Sequence, residues 1–248
     1  MKQTRILMDI PITVEICDPE AREYDIEQLF AYFMSIDEQF SPFRDTSMVS
    51  RFNAGKLKED EWSDDFKKIT TWCQRTSQET DGFFFADRDG IFDPTGLVKG
   101  WAIFRAAHML LEVGYENFSV EAGGDFQSFG FNAEGKPWTI GIRDPFHPGQ
   151  IVKVLQPGDL GVATSGSYLR GDHIADPVAG ETLGDIVSLT VIAPNVFHAD
   201  RFATACFAMG RAGLDFLEKR PAMAGYMIDR DGIATWTSNF PAFVVDHD

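Results

Sequence analysis

Ile10, Ile12, Val14 and Ile16 alternate with polar neighbours, the period of a strand with one buried face. The period then changes. Leu29, Phe33, Ile36 and Phe40 recur three and four residues apart, which predicts a helix with one apolar face. Asp25 reads as its N-cap, Gln28 as the capping-box partner, and Ser41-Pro42 as its stop. A second helix is expected after Ser63, with Phe66, Ile69 and Cys73 inward and an end at Asp81-Gly82. The run Phe83-Phe84-Phe85 reads as a buried strand, with an aromatic ligand wall as the alternative. Asp93 to Gly100 forms a turn that opens a helix through Trp101, Ile103, Leu110 and Leu111 to a Gly114 cap.

Strands are expected at Phe118–Glu121, broken by Gly123-Gly124-Asp125, and at Trp138–Ile142, Ile151–Leu155 and Val187–Ile192. A helix from Asn195 to Met209 and a short one over Leu214–Lys219 follow, then strands at Tyr226–Ile228, Ile233–Trp236 and Phe243–Val245. Helices and strands intersperse without βαβ alternation. That pattern predicts an α+β fold with mixed or antiparallel sheets and packed helices, in a single domain over 1–248.

Composition sharpens this only in part. A hydrophobic content of 44% supports a substantial core, and a net charge of -16 argues against nucleic-acid or anionic-membrane binding. Any phosphate-bearing ligand must be held by local donors or a metal. Cys17, Cys73 and Cys206 form no CxxC pair and read as buried thiols. The N-terminus lacks an apolar signal core and no run reaches membrane-spanning length, so the expected location is the cytoplasm, or the periplasm if a leader was removed.

Candidate chemistry concentrates in three places. Gly161–Gly180, GVATSGSYLRGDHIADPVAG, is polar and rich in turn residues, and reads as a loop: either an ordinary surface loop or a phosphate contact in which Thr164-Ser165-Gly166 permits close approach. Asp200 and Thr204 stand four apart on one helix face and offer oxygen to a hard cation; equally, Asp200 suits the helix dipole and Thr204 a back-bond. Asp93 to Gly100 joins an acid and Lys99 to a helix N-terminus. Walker, Rossmann and Gly-x-Ser-x-Gly patterns are absent, and the five histidines lack zinc-ligand spacing.

The blocks FSPFRDTSMVSRFN, TDGFFF, DPTGLVKGWA, VEAGGDFQSFG, WTIGIRDP, ATSGSYLR, HIADPVAG and HADRFATACFAMG resemble, in order, those of the ApbE family, the FAD:protein FMN transferases. The resemblance implies a T-fold-related α+β domain that binds FAD and Mg2+ and attaches FMN to a threonine of an acceptor redox protein, releasing AMP. FAD hydrolysis to FMN and AMP, or FAD binding without catalysis, are the alternatives. It further implies metal ligation by Asp200, Thr204 and the Gly96 carbonyl. Nucleotide contacts would come from Met8, Phe43, Phe83, Phe84, Asp93, Lys99, Ser165, Gly166, Arg170 and His173, with His173 as the proton-transfer residue. The chain departs from the family at Phe43 for tyrosine, Phe85 for aspartate, Thr95 for glycine and Glu121 for asparagine. It is also shorter between Gly82 and Asp93.

Overall fold

The computed structural model describes residues 1–167 and 185–245. Strands β1 (Lys2–Leu7) and β2 (Ile10–Ile16) form a hairpin that turns through Met8 and Asp9. β2 pairs with β5 (Phe118–Ala122), which turns at Gly123-Gly124 into β6 (Asp125–Phe129). Both turn glycines have positive φ, 59° and 96°, the conformation a tight hairpin of this hand requires. β9 (Gly161–Gly166), β10 (Ile186–Ala193), β11 (Ala224–Asp229) and β12 (Ala234–Trp236) complete an eight-stranded sheet, ordered β1-β2-β5-β6-β9-β10-β11-β12 and antiparallel throughout. β7 (Ile140–Arg143), β8 (Ile151–Leu155) and β13 (Val244–Val245) make a second sheet, ordered β13-β8-β7; β3 (Asp87–Arg88) and β4 (Ile91–Phe92) pair alone.

Helices α1 (Glu23–Phe40), α2 (Met48–Asn53), α3 (Asp64–Glu79), α4 (Thr95–Val113), α5 (Val196–Ala208) and α6 (Ala212–Glu218) accompany the large sheet. The pleat sorts the core. In β9 Val162 joins Phe126, Trp138, Ile142 and Leu155 beneath the small sheet, while Ala163 joins Phe202, Cys206 and Phe207 beneath α5. β10 is covered on both faces, so its run of apolar residues is nearly continuous. Ile12, Val14 and Ile16 of β2 pack with α1, α3 and α4 in the remaining core. Among the described residues no helix is long and apolar enough to cross a membrane.

Four local expectations are corrected. Asp25 is not a cap: α1 starts at Glu23, and the buried Asp25 carboxylate accepts from Arg22 Nε at 2.7 Å and Tyr115 Oη at 2.6 Å. Phe83–Phe85 is a bend, not a strand, tied by the Phe84 N–H to Thr80 Oγ1. Thr164, Ser165 and Gly166 are not a turn; they are strand residues paired to Thr190, Leu189 and Ser188 of β10. Cys73 and Cys206 are buried thiols, but Cys17 is only half-buried. The short α2 was not anticipated; Ser47 caps it by accepting the Ser50 N–H at 3.0 Å.

Candidate active site

The site is built where α4 and α5 cross. Asp93 Oδ1 accepts the Thr95 N–H at 3.0 Å and so opens α4, whose first turn presents Gly96 and Lys99. Asn195 caps α5 by accepting the His198 N–H at 3.0 Å on its side chain, and Gln127 Oε1 takes the Val196 N–H at 2.9 Å. One turn further, Asp200 and Thr204 face α4. Asp200 Oδ2 accepts the Gly100 N–H at 2.7 Å, and Thr204 Oγ1 donates to the Gly96 carbonyl at 3.1 Å. Gly100 has to be glycine here, because a Cβ would fall 2.5 Å from Asp200 Cβ.

Lys99 lies between two carboxylates. Its Nζ stands 2.7 Å from Asp125 Oδ2 and 3.7 Å from Asp200 Oδ1. Asp125 is fully buried, and its Oδ1 takes the Thr164 N–H at 3.1 Å. Burial raises the Asp125 carboxyl above the usual carboxylate range and the charge of Asp200 adds to the effect, while Lys99 and the Thr164 amide oppose it. Asp125 was not anticipated as a member of this group. The only signal in the sequence was its place after Gly123-Gly124.

This arrangement suits a hard cation. A carboxylate, a hydroxyl and a backbone carbonyl converge, all oxygen, and added positive charge would relieve the repulsion between Asp200 and Asp125. Asp200 Oδ1 stands 3.7 Å from Lys99 Nζ, too far for a hydrogen bond. No group of three His, Cys, Asp or Glu among the described residues could hold a metal ion, so a cation here rests on this mixed set.

α5 is pinned on its other side by Arg201. The buried guanidinium donates from Nη1 to Thr76 Oγ1 at 3.1 Å and Glu79 Oε2 at 2.6 Å, and from Nε to His198 Nδ1 at 3.0 Å. It also lies 4.2 Å over the Phe202 ring. Burial, with Arg201 adding to it, pushes His198 down to about 4, which keeps Nδ1 free as an acceptor. Consecutive residues of α5 therefore bind two different helices, Asp200 to α4 and Arg201 to α3.

The remaining sequence candidates scatter around this centre. Phe84 is buried with its ring against Gly96, so that a Cβ on Gly96 would meet it at 3.4 Å; Phe83 is half-buried. Met8 sits half-buried in the β1–β2 turn at φ 54°, a conformation unusual for its side chain. Phe43 is 85% exposed, a fully presented ring in the loop before α2. Ser165 and Gly166 are buried in β9. Arg170 and His173 lie outside the described residues. A cavity of about 280 Å³ adjoins the centre, lined by Glu121, Gly123, Gly124, Phe126, Arg143 and Thr164 among others. Thr164 is the link, since its N–H binds Asp125.

Residues 85–227 match the ApbE family. The FAD:protein FMN transferase of Vibrio cholerae is 35% identical over 128 residues, covering 48% of this chain and 38% of the relative. That of Escherichia coli K12 is 32% identical over 160 residues, covering 59% and 46%. These matches span less than half the length of either curated relative. The fold resembles that of the ApbE protein from Thermotoga maritima, with a TM-score of 0.86 at 22% identity over 99% of both chains. It also resembles the apo form of the Pseudomonas stutzeri flavinyl transferase ApbE, with a TM-score of 0.85 at 22% identity over 99% of this chain and 97% of that one.

Proposed function

The chain belongs to the ApbE family, and on that footing we propose that it is a Mg2+-dependent FAD:protein FMN transferase. The observation that carries the reading is the meeting of Asp200, Thr204 and the Gly96 carbonyl at the α4–α5 crossing, beside Lys99. These three oxygens would hold Mg2+, which when bound neutralises charge on the pyrophosphate of FAD. Lys99 supplies a second positive charge to the same phosphates, and Asp93 orients the nucleotide at the start of α4. Met8, Phe43, Phe83 and Phe84 supply apolar and aromatic surface to its rings, with Ser165, Gly166 and Arg170 along the nucleotide.

The transfer balances simply. The acceptor threonine oxygen bonds to the FMN phosphorus, the bond from that phosphorus to the bridging oxygen breaks, and AMP leaves with that oxygen. The threonine proton passes to the His173 imidazole, which acts as the base. Incubation with FAD, Mg2+ and a threonine-bearing acceptor peptide is expected to give a covalent FMN mass increment together with AMP. AMP without adduct identifies a hydrolase instead, and retained FAD with neither product identifies a binding protein.

A further inference from the structure

The cavity beside the site is bounded on one side by strand β7. β7 pairs with β8 along Ile140–Arg143 and with no other strand among the described residues, so its second edge carries backbone groups that no ladder uses. Across the gap stand Glu121, the Gly123-Gly124 turn and Phe126, with Thr164 also on the cavity wall. Ile151 of β8 packs over Gly141, its Cδ1 2.8 Å from where a Cβ would stand, and Thr139, just before β7, and Arg143, at its end, also line the cavity. At about 280 Å³ the gap falls below the roughly 300–1,000 Å³ that drug-sized ligands fill, and FAD is larger still. A single extended backbone is narrow enough to run along it. Arg143 forms no ion pair among the described residues, so it offers a positive charge to an acidic side chain in a chain of net charge -16.

We propose that the free edge of β7 receives the threonine-bearing segment of the acceptor protein as an added strand. The inference rests on the transferase reading and names where its protein substrate docks. Strand addition lets main-chain hydrogen bonds hold the segment while side-chain pockets select it. An acidic residue of the segment faces Arg143. Thr164 connects the cavity through Asp125 to Lys99, so a hydroxyl seated there approaches the phosphates from the acceptor side.

The test uses the full chain and a synthetic peptide, Asp-Gly-Ala-Thr-Gly-Ala-Thr. Hydrogen exchange is expected to slow at the Thr139–Arg143 amides when peptide is added, and to be unchanged there with FAD and Mg2+ alone. Thr139→Trp, an exposed position that fills the gap, should raise the peptide Kd at least tenfold. Arg143→Glu should do the same, with a smaller effect on a peptide whose Asp is replaced by Asn. No peptide binding, protection elsewhere with none in β7, or an unchanged Kd in both variants overturns the proposal. Protection of β7 by FAD alone makes the gap a nucleotide subsite and overturns it too. Peptide bound on β7 with neither FMN transfer nor AMP release in the same sample refutes the transferase reading while leaving the peptide site in place.

Discussion

Asp200 Oδ2 accepts the Gly100 N–H at 2.7 Å, a carboxylate on one helix closing on the backbone of another where the second helix has no side chain. Gly100→Ala would gain about 1 kcal/mol of helix propensity. Its Cβ, however, would lie 2.5 Å from Asp200 Cβ and 3.0 Å from the Val196 carbonyl. Overpacking of this kind costs about 1–3 kcal/mol, and the bond to Asp200 is disturbed as well. The expected net loss of about 1–2 kcal/mol lowers the melting midpoint by roughly 2–8 °C at this chain length. A scanning calorimetry midpoint at or above wild type would show that α4 and α5 part freely.

Asp200→Asn keeps the size of the side chain and removes its charge. Mg2+ should stabilise the wild-type protein, by about 2.7 kcal/mol at a hundredfold excess over Kd, and the variant hardly at all. Melting curves with Mg2+ and with a chelator check this without any turnover. A full Mg2+ shift in the variant would take Asp200 out of the ligand set.

Met8 occupies the left-handed region at φ 54°, where an ordinary side chain costs about 1–2 kcal/mol and asparagine much less. Met8→Asn should therefore raise the melting midpoint by a few degrees, about 2–4 °C per kcal/mol. If Met8 contacts FAD as proposed, the substitution should also weaken FAD binding, because it removes the thioether. Fluorescence titration of FAD reads the second effect. A stabilised variant with unchanged FAD affinity would mean that the turn serves no ligand.

Arg201→Met removes a buried guanidinium and leaves Glu79 and Thr76 without it. Breaking a buried pair costs about 3–5 kcal/mol. Glu79 remains partly exposed, so a loss of about 2–3 kcal/mol is expected in urea unfolding. Less than 0.5 kcal/mol would show that α5 is held by Asp200 and packing alone.

His198 sets a sign for pH dependence. Its folded pKa is about 4 against an ordinary 6.5, so between those values the unfolded chain binds more protons than the folded one. Stability should rise with pH across that window and fall as pH drops through it. Asp125, raised by burial, contributes the opposite slope from about pH 4 upward. Unfolding curves of His198→Gln between pH 4 and 6.5 should lose the rising component. An unaltered slope would assign it to the carboxylates.

Periodicity made most elements legible, because α1, α3, α4 and α5 each bury a stripe that recurs at helical spacing. It misled where composition stood in for environment. Thr164-Ser165-Gly166 reads locally as a turn. In the fold its small residues form a strand between β6 and β10, and Gly161 in the same strand lies so close to α5 that a Cβ would meet the Val196 nitrogen at 1.9 Å. Smallness there serves helix approach, which no local pattern reveals. Asp25 has the sequence context of a cap, yet its partner Tyr115 is distant in the chain. At the site, the Asp200–Thr204 spacing was visible. The Lys99–Asp125 pair was not, because it joins a helix to a hairpin that only the sheet order brings together.

The pairing of β2 with β5 also constrains how the molecule is made. About one hundred residues, including α1 to α4, separate Ile16 from its partner Phe118. At 5–20 residues per second, ribosomal synthesis leaves the β1–β2 hairpin without its neighbour for on the order of 5–20 s. Throughout that interval one edge of β2 stands open with Ile12, Val14 and Ile16 uncovered by β5. The nascent chain is then most exposed to capture by chaperones or by another copy of itself, and α1, already complete, is the first element able to shield it.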